Sequence, residues 1–491
     1  MCSRSSERIH VSSQRKEKGY LTVYLSLSIT IMLSLILVLF QGARIGAVKM
    51  KTEAVCDIAM NSVLAEYSRA LYEQYSLLMV DTSYGSGNPS IVNTEEHLRY
   101  YAKKNFERTA AGFITGARTI FSTNLKDVHI TGSSFAMDNG GAVLNRQILS
   151  YMGSDVVGDI LTDASDNAHA IQSAGLDTTD VEEMARANQD QIDSIEIPPI
   201  INEFGEEEEV SLGNPADGVN SQKGIGPLAL AIKDKSRIST ASVSLSSLPS
   251  HRELNHGTGL DDTEDISASE KLLLDQYYYE KCSRYGGELE KSNLKYQLEY
   301  LIYGKGSDYE NLNRMAIDLL FWREASNMMY LFSCSEKVAQ AELAASILTA
   351  VMMVPELLDL VKYSILFAWT FAESISDLNI LFSGGRVPLF KSDSTWRLGF
   401  FNMLHFRDFL NGGDLGEGLY YEDYLRARLF MASHADKTKR MADVIEMDIK
   451  KTPGNSGFKV DHLLDIFRAE MSVRAGFGYE AKIERIYGYE Y

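Results

Sequence analysis

Cysteine and histidine are scarce in this 491-residue chain. Four cysteines without a C-x-x-C pair exclude a knuckle-type zinc site and a disulfide-stapled scaffold. No two of the nine histidines stand at the i,i+4 spacing of a helical zinc site, so surface or hydrogen-bonded roles are expected for them. Positive charge is short as well. With 48 Lys+Arg against 67 Asp+Glu and a formal charge of -19, the chain lacks the basic face that phosphate neutralisation requires. Nucleic-acid binding is thereby excluded, and non-specific attraction of the body as a whole to anionic lipid is disfavoured. Catalytic signatures are missing too: no H-E-x-x-H, G-x-S-x-G, Walker loop or dinucleotide fingerprint occurs, and the expectation is a protein without enzymatic activity or cofactor. What is present is an average composition, 45% hydrophobic, which excludes collagen-like, coiled-coil and wholly disordered chains.

One stretch lacks charge altogether. From Tyr20 to Ala43 the run YLTVYLSLSITIMLSLILVLFQGA, at about 1.5 Å per helical residue, is long enough for a hydrocarbon core of roughly 30 Å. It predicts a transmembrane helix over 20–43, preceded by a basic tail over 1–19. Arg4, Arg8, Arg15, Lys16 and Lys18 lie before it and Arg44, Lys49 and Lys51 after it, which favours a cytoplasmic N-terminus and an extracytoplasmic body. A cleaved secretory signal is the competing reading. It calls for a shorter apolar core and a small-x-small cleavage site, whereas Gly42-Ala43 runs straight into Arg44 and a helical pattern.

The expected fold class is α+β: the membrane helix continuing into a long amphipathic helix, a mixed ectodomain, a disordered acidic linker and a helix-rich C-terminal unit. Residues 44–172 read as the membrane-proximal helix with a small α+β unit. Cys56, Met60, Val63, Tyr67 and Leu71 recur at helical spacing through residue 78, and Val128 and Ile130 alternate as in a half-buried strand. A second apolar segment surrounds Phe113 to Phe121. Residues 173–268 read as a solvated linker: Asp177 to Glu209 holds twelve acidic residues against Arg186 alone, and a serine-rich stretch follows. Within it, Gly224 to Ile232 is apolar enough to dock on a folded unit. Residues 269–491 form the C-terminal domain. There Leu294 to Lys305 reads as a strand, Asp308 to Phe332 as a helix, and Leu343 to Phe371 as two buried helices with Pro355 opening the second. Helices over Tyr420 to Phe430 and Arg440 to Ile449 and a terminal strand pair complete it. Cys282 and Cys334 share this unit and are the candidate disulfide, with buried free thiols the favoured alternative. Asp81-Thr82-Ser83-Tyr84-Gly85-Ser86 approaches the D-x-S-x-S cation loop of von Willebrand A domains, but Gly85 replaces the second serine and a plain turn is expected.

The segment Lys18-Gly19-Tyr20-Leu21-Thr22-Val23-Tyr24, followed by the apolar core, Gly42-Ala43-Arg44 and a continuing helix, resembles the N-terminus of TadE/TadG-like proteins of Tad/Flp pilus systems. Lys18, Gly19, Thr22, Val23 and Tyr24 form the membrane-entry motif in that comparison. Further segments, EYSRALYEQYSLLMVDTSYGSG, NLNRMAIDLLFWREASNMMYL, FAESISDLNILFSGGRVPLFKSD and YYEDYLRARLFM, are similar to the bacterial domain-of-unknown-function family numbered five-seven-zero-two. The resemblance implies a bacterial cell-membrane protein with pilus or secretion-system proteins as partners and lipid contacted through residues 20–43, and it supplies no catalytic residue. It also implies an accessory pseudopilin rather than a major pilin. Processed prepilins carry Glu five positions after the cut, to pair with a neighbouring subunit's new N-terminal amine; here that position is Tyr24. The alternative is a membrane-anchored extracytoplasmic binding or sensing protein unrelated to pili.

Overall fold

A computed structural model describes residues 14–110, 123–153, 159–195, 200–201, 207–208, 213–260, 266–287 and 292–489. Its first element, α1 (Gln14–Leu64), is one helix of 51 residues. It contains no proline, and at 1.5 Å per residue it is about 77 Å long. The expected continuation to residue 78 does not occur. The chain turns after Leu64, and Ser68 caps a separate helix α2 (Arg69–Tyr75) by accepting from the Leu71 N–H, so that Leu71 and Tyr75 enter a different core.

Next come β1 (Val80–Asp81), α3 (Ile91–Ala110), β2 (Thr123–Phe135), α4 (Ala142–Met152) and α5 (Asp159–Ser173). The apolar segment around Phe113 to Phe121 lies outside the described residues. The strand expected at Val128 and Ile130 is β2, with Val128 buried. The chain ends in β5 (Leu463–Ala475) and β6 (Glu480–Gly488), the expected terminal pair. All pairings in this small sheet are antiparallel, and β5 is central: β2 lies along one edge, while β1 and β6 pair with successive parts of the other.

This topology corrects the expected division of the chain. Strands from residues 80–135 and from 463–488 share one sheet, so the boundaries at 172 and 268 do not separate folding units. The expected linker is also largely structured in its described residues. It contains α6 (Val181–Asp193), the short pair β3 (Ile200–Ile201) and β4 (Glu207–Glu208), α7 (Pro215–Asn220) and α8 (Pro227–Ala231). Leu228, Leu230, Ala231 and Ile232 are buried, as the apolar run at Gly224 to Ile232 anticipates. Residues 234–258 form a strap across the body, held by buried carboxylates. Ser239 donates to Asp308, Ser250 to Asp443, and the Asn255 N–H to Asp461. Arg252 forks onto Glu446 at 2.8 and 2.9 Å and also pairs with Asp461. Gly257 lies so close to β2 that a Cβ there would stand 2.0 Å from the Ser133 carbonyl oxygen.

The remaining helices are α9 (Ala268–Lys281), α10 (Gln297–Tyr303), α11 (Asp308–Ser333), α12 (Ser335–Val351), α13 (Leu358–Phe382), α14 (Phe400–Met403), α15 (Tyr421–Met431) and α16 (His434–Lys450). The strand expected over Leu294 to Lys305 is instead α10. Pro355 opens a short 3-10 turn that leads into α13, which is buried continuously from Ser364 to Phe382. Three cores result: one between α1, α3 and the sheet, a large one around α4, α9, α10, α15 and α16, and one around α12, α13 and α14.

Candidate functional site: the anchor helix and the buried charge cluster

The two halves of α1 have opposite surroundings. From Tyr20 to Phe40 its apolar side chains face outward all round, with Leu33 57% and Leu37 59% exposed. Four hydroxyls in this half are satisfied within the helix: Thr22 donates to the Gly19 carbonyl at 3.0 Å, Ser26 to Val23 at 2.9 Å, Thr30 to Ser26 at 2.7 Å and Ser34 to Ile31 at 2.8 Å. A helix surrounded by hydrocarbon requires that internal satisfaction. Of the entry motif, Lys18 and Gly19 lie within α1, nothing approaches Gly19, and Val23 and Tyr24 are exposed.

Val48 begins the seated half. Val48, Thr52, Val55, Cys56, Ala59, Met60 and Val63 recur at helical spacing and are buried against Leu98, Ala102 and Phe106 of α3 and the inward side chains of β5 and β6. Polar contacts fix the register. Arg485 of β6 lies 3.5 Å from Glu53 and 3.8 Å from Asp57, the Tyr489 hydroxyl donates to the Leu64 carbonyl, and Glu66 accepts from Tyr101 at 2.6 Å.

A second constellation lies inside the body and was not anticipated. Arg323 of α11 donates through Nε to Asp377 of α13 at 3.0 Å and through its NH1 to the carbonyls of Pro388 and Leu389. Lys391 reaches Glu373 at 2.8 Å and Asp377 at 2.6 Å, and both side chains of each pair are buried. Glu373 also accepts from the backbone N–H groups of Arg397 and Leu398, and Asn327 donates to Asp377. Burial alone would raise the Asp377 carboxyl, but Lys391 and Arg323 outweigh it and hold the group below the ordinary carboxylate range. Two cations and two carboxylates balance. The cluster pins residues 388–398 to α11 and α13, and the segments FWREASN, FAESISDLN and PLFKSD meet in it. The signal available in the sequence was the i,i+4 spacing of Glu373 and Asp377 on an otherwise apolar helix.

Two open clefts mark the surface. The larger, about 850 Å³, is lined by Tyr75, Lys281, Cys282, Arg284, Gln297 and Asp448 among others. The smaller, about 700 Å³, has Arg237, Tyr285, Tyr296, Tyr420, Tyr421 and Arg426 in its walls. In the first, burial raises the Cys282 thiol above its usual range, and its Sγ sits 3.6 Å from the Met441 sulfur, the setting of a packed thiol rather than a nucleophile. Cys282 and Cys334 are not joined: both are free thiols, Cys282 buried in the large core and Cys334 at the α11–α12 junction. At Asp81 the carboxylate accepts from the Ser83 N–H at 2.9 Å and the Ser83 hydroxyl at 2.8 Å, closing a local turn. Among the described residues no group of three or more His, Cys, Asp or Glu side chains is arranged to hold a metal ion.

Comparison with known proteins adds one match. The model of a family of unknown function, DUF5702, matches residues 205–475, from the expected linker through the end of β5. No curated protein and no solved structure matches the chain.

Proposed function

The chain belongs to the DUF5702 family of unknown function, and from that membership and the build of α1 we propose a non-enzymatic, single-pass membrane protein that serves as an accessory, TadE/TadG-like pseudopilin component of a Tad/Flp-type pilus or secretion apparatus. The observation that carries the reading is α1: one uninterrupted helix whose first half is apolar and uncovered and whose second half is built into the body. Leaving sixteen large apolar side chains exposed to water would forfeit roughly 1.5–3 kcal/mol for each fully exposed one, which a bilayer recovers. The excess of Lys and Arg before Tyr20 supports a cytoplasmic N-terminus, and the body then stands outside the cytoplasm.

Purification from detergent-solubilised native membranes tests the assembly role. Tad-type pilus or secretion components are expected to accompany the chain, and repeated recovery without any of them would reject that role. The two open clefts favour a second reading, an anchored extracytoplasmic binding or sensing protein. Recovery of the chain alone, together with saturable uptake of a small molecule by the purified protein, would select it.

A further inference from the structure

The turn between β5 and β6 lies against the residue that ends the uncharged run. The Arg44 guanidinium stands over the Phe477 ring, 4.0 Å from its centroid, and 5.8 Å from that of Phe40. Phe477 in turn stacks on Tyr479, with planes 7° apart. From this turn β6 runs alongside α1 in the same direction, placing Arg485 beside Glu53 and Tyr489 beside Leu64. The turn is therefore the end of the body from which the uncovered half of α1 projects.

No spacer separates the two halves. Ala43 is the last residue of the uncharged run and Val48 is already 1% exposed inside the body, about 7 Å further along the helix axis. A bilayer around residues 20–43 must then meet the body at the level of Arg44, where Phe477 and Tyr479 are only half-buried. Aromatic rings with one apolar and one wet side favour that layer, and cations beside them find lipid phosphates there. Lys49 is exposed on the same stretch of α1, and the Lys51 ammonium sits over the Phe106 ring at 5.6 Å. The acidic balance of the whole chain does not oppose this, since screening confines headgroup attraction to charges within about 10 Å.

Resting on the reading of α1 as a membrane span, we propose that the β5–β6 turn is a lipid-contact site. Phe477 and Tyr479 sit in the headgroup layer of a phospholipid bilayer with Arg44 and Lys49 at the phosphates, and the body stands directly on the membrane at fixed height.

The test uses the full chain reconstituted in phosphatidylcholine–phosphatidylglycerol vesicles containing brominated phosphatidylcholine. Phe477→Trp and, independently, Tyr479→Trp add a fluorophore at the turn; Phe401→Trp adds one on α14, which packs on α12 and α13 rather than on the sheet. Emission is read as the difference from the parent chain. Carbonate-resistant protein in which the turn fluorophores lose emission to brominated lipid, while the α14 fluorophore does not, is the expected result. Carbonate-resistant protein whose turn fluorophores answer only to aqueous iodide, or in which all three positions are quenched alike, overturns the contact and leaves the span intact. Extraction by carbonate overturns both.

Discussion

Glu299 is fully buried on α10, and among the described residues it forms no ion pair. Its Oε1 accepts from the Tyr421 hydroxyl at 2.7 Å and the Tyr285 N–H at 3.0 Å, while Oε2 is buried without a partner. Burial raises its pKa from 4.5 to about 7, against the pull of those hydrogen bonds. The folded chain thus holds this proton more tightly than the unfolded chain. The stabilisation is complete below pH 4.5, declines as pH rises toward 7, and is gone above it. Glu299→Gln keeps an acceptor for Tyr421 and removes the charge, so above pH 7 the variant should be the more stable by up to about 3 kcal/mol. Thermal midpoints of both proteins across that window check it, and parallel pH profiles would refute it. Lys391 presents the opposite case, a buried cation between two carboxylates. Lys391→Met leaves Glu373 and Asp377 to share Arg323, an uncompensated buried charge costing about 3–5 kcal/mol. Denaturant unfolding should show that loss, and adding Glu373→Gln should recover part of it.

At the scale of elements, the strap over 234–258 owes its order to partners far away in the chain. Arg252→Ala takes the two-pronged partner from buried Glu446, which keeps Lys450 and the Val460 N–H, and should cost about 1.5–3 kcal/mol locally. The expected signature is amide exchange over residues 248–258 roughly a hundredfold faster, with β5 unchanged and Arg252→Lys intermediate because Lys lacks the two-pronged fork. Equal acceleration in β5 would mean that the strap is not a separate unit. The same partners explain why the strap read as a solvated linker. Its composition is polar, and the carboxylates that satisfy it, Asp308, Asp443, Glu446 and Asp461, lie in segments that composition cannot bring together. The misreading of α10 has another cause. Leu294 to Tyr300 alternates apolar and polar residues as a strand does, but Gln297 and Glu299 are buried like their neighbours, so the alternation does not mark two faces. By contrast α16 and the β5–β6 pair were legible, because each keeps a buried face and its periodicity survives. Of the sites, the anchor was plain in the sequence as an absence of charge. The Arg323–Asp377–Lys391–Glu373 cluster was not, since it exists only where three separate segments meet.

At the scale of the whole molecule, β5 ties residues 463–475 to β1 and β2, and the second half of α1 packs on the same sheet. Under the proposed membrane reading, such a body on a single helix suits a component that is positioned rather than polymerised, and the entry motif bears on which of these the protein is. If the proposed pilus reading holds, Lys18 and Gly19 stand where prepilins are cut, and cleavage there would make Tyr20 a new N-terminus. Its ammonium would then need a carboxylate within an apolar assembly, and an unpaired charge in that setting costs several kcal/mol. Tyr24 occupies the fifth position and offers a neutral phenol, 69% exposed on the uncovered half of α1. From Tyr20 to Phe40 no side chain of α1 is acidic, so no neighbouring position substitutes for it. The chain should therefore stay uncut. Intact mass spectrometry of protein from native membranes should find residues before Tyr20 still attached, and replacing Tyr24 by Glu should leave the mass unchanged apart from the substitution unless a prepilin peptidase already reads this site. A native chain beginning at Tyr20 would instead place the protein among processed subunits and require its amine to find a partner outside α1.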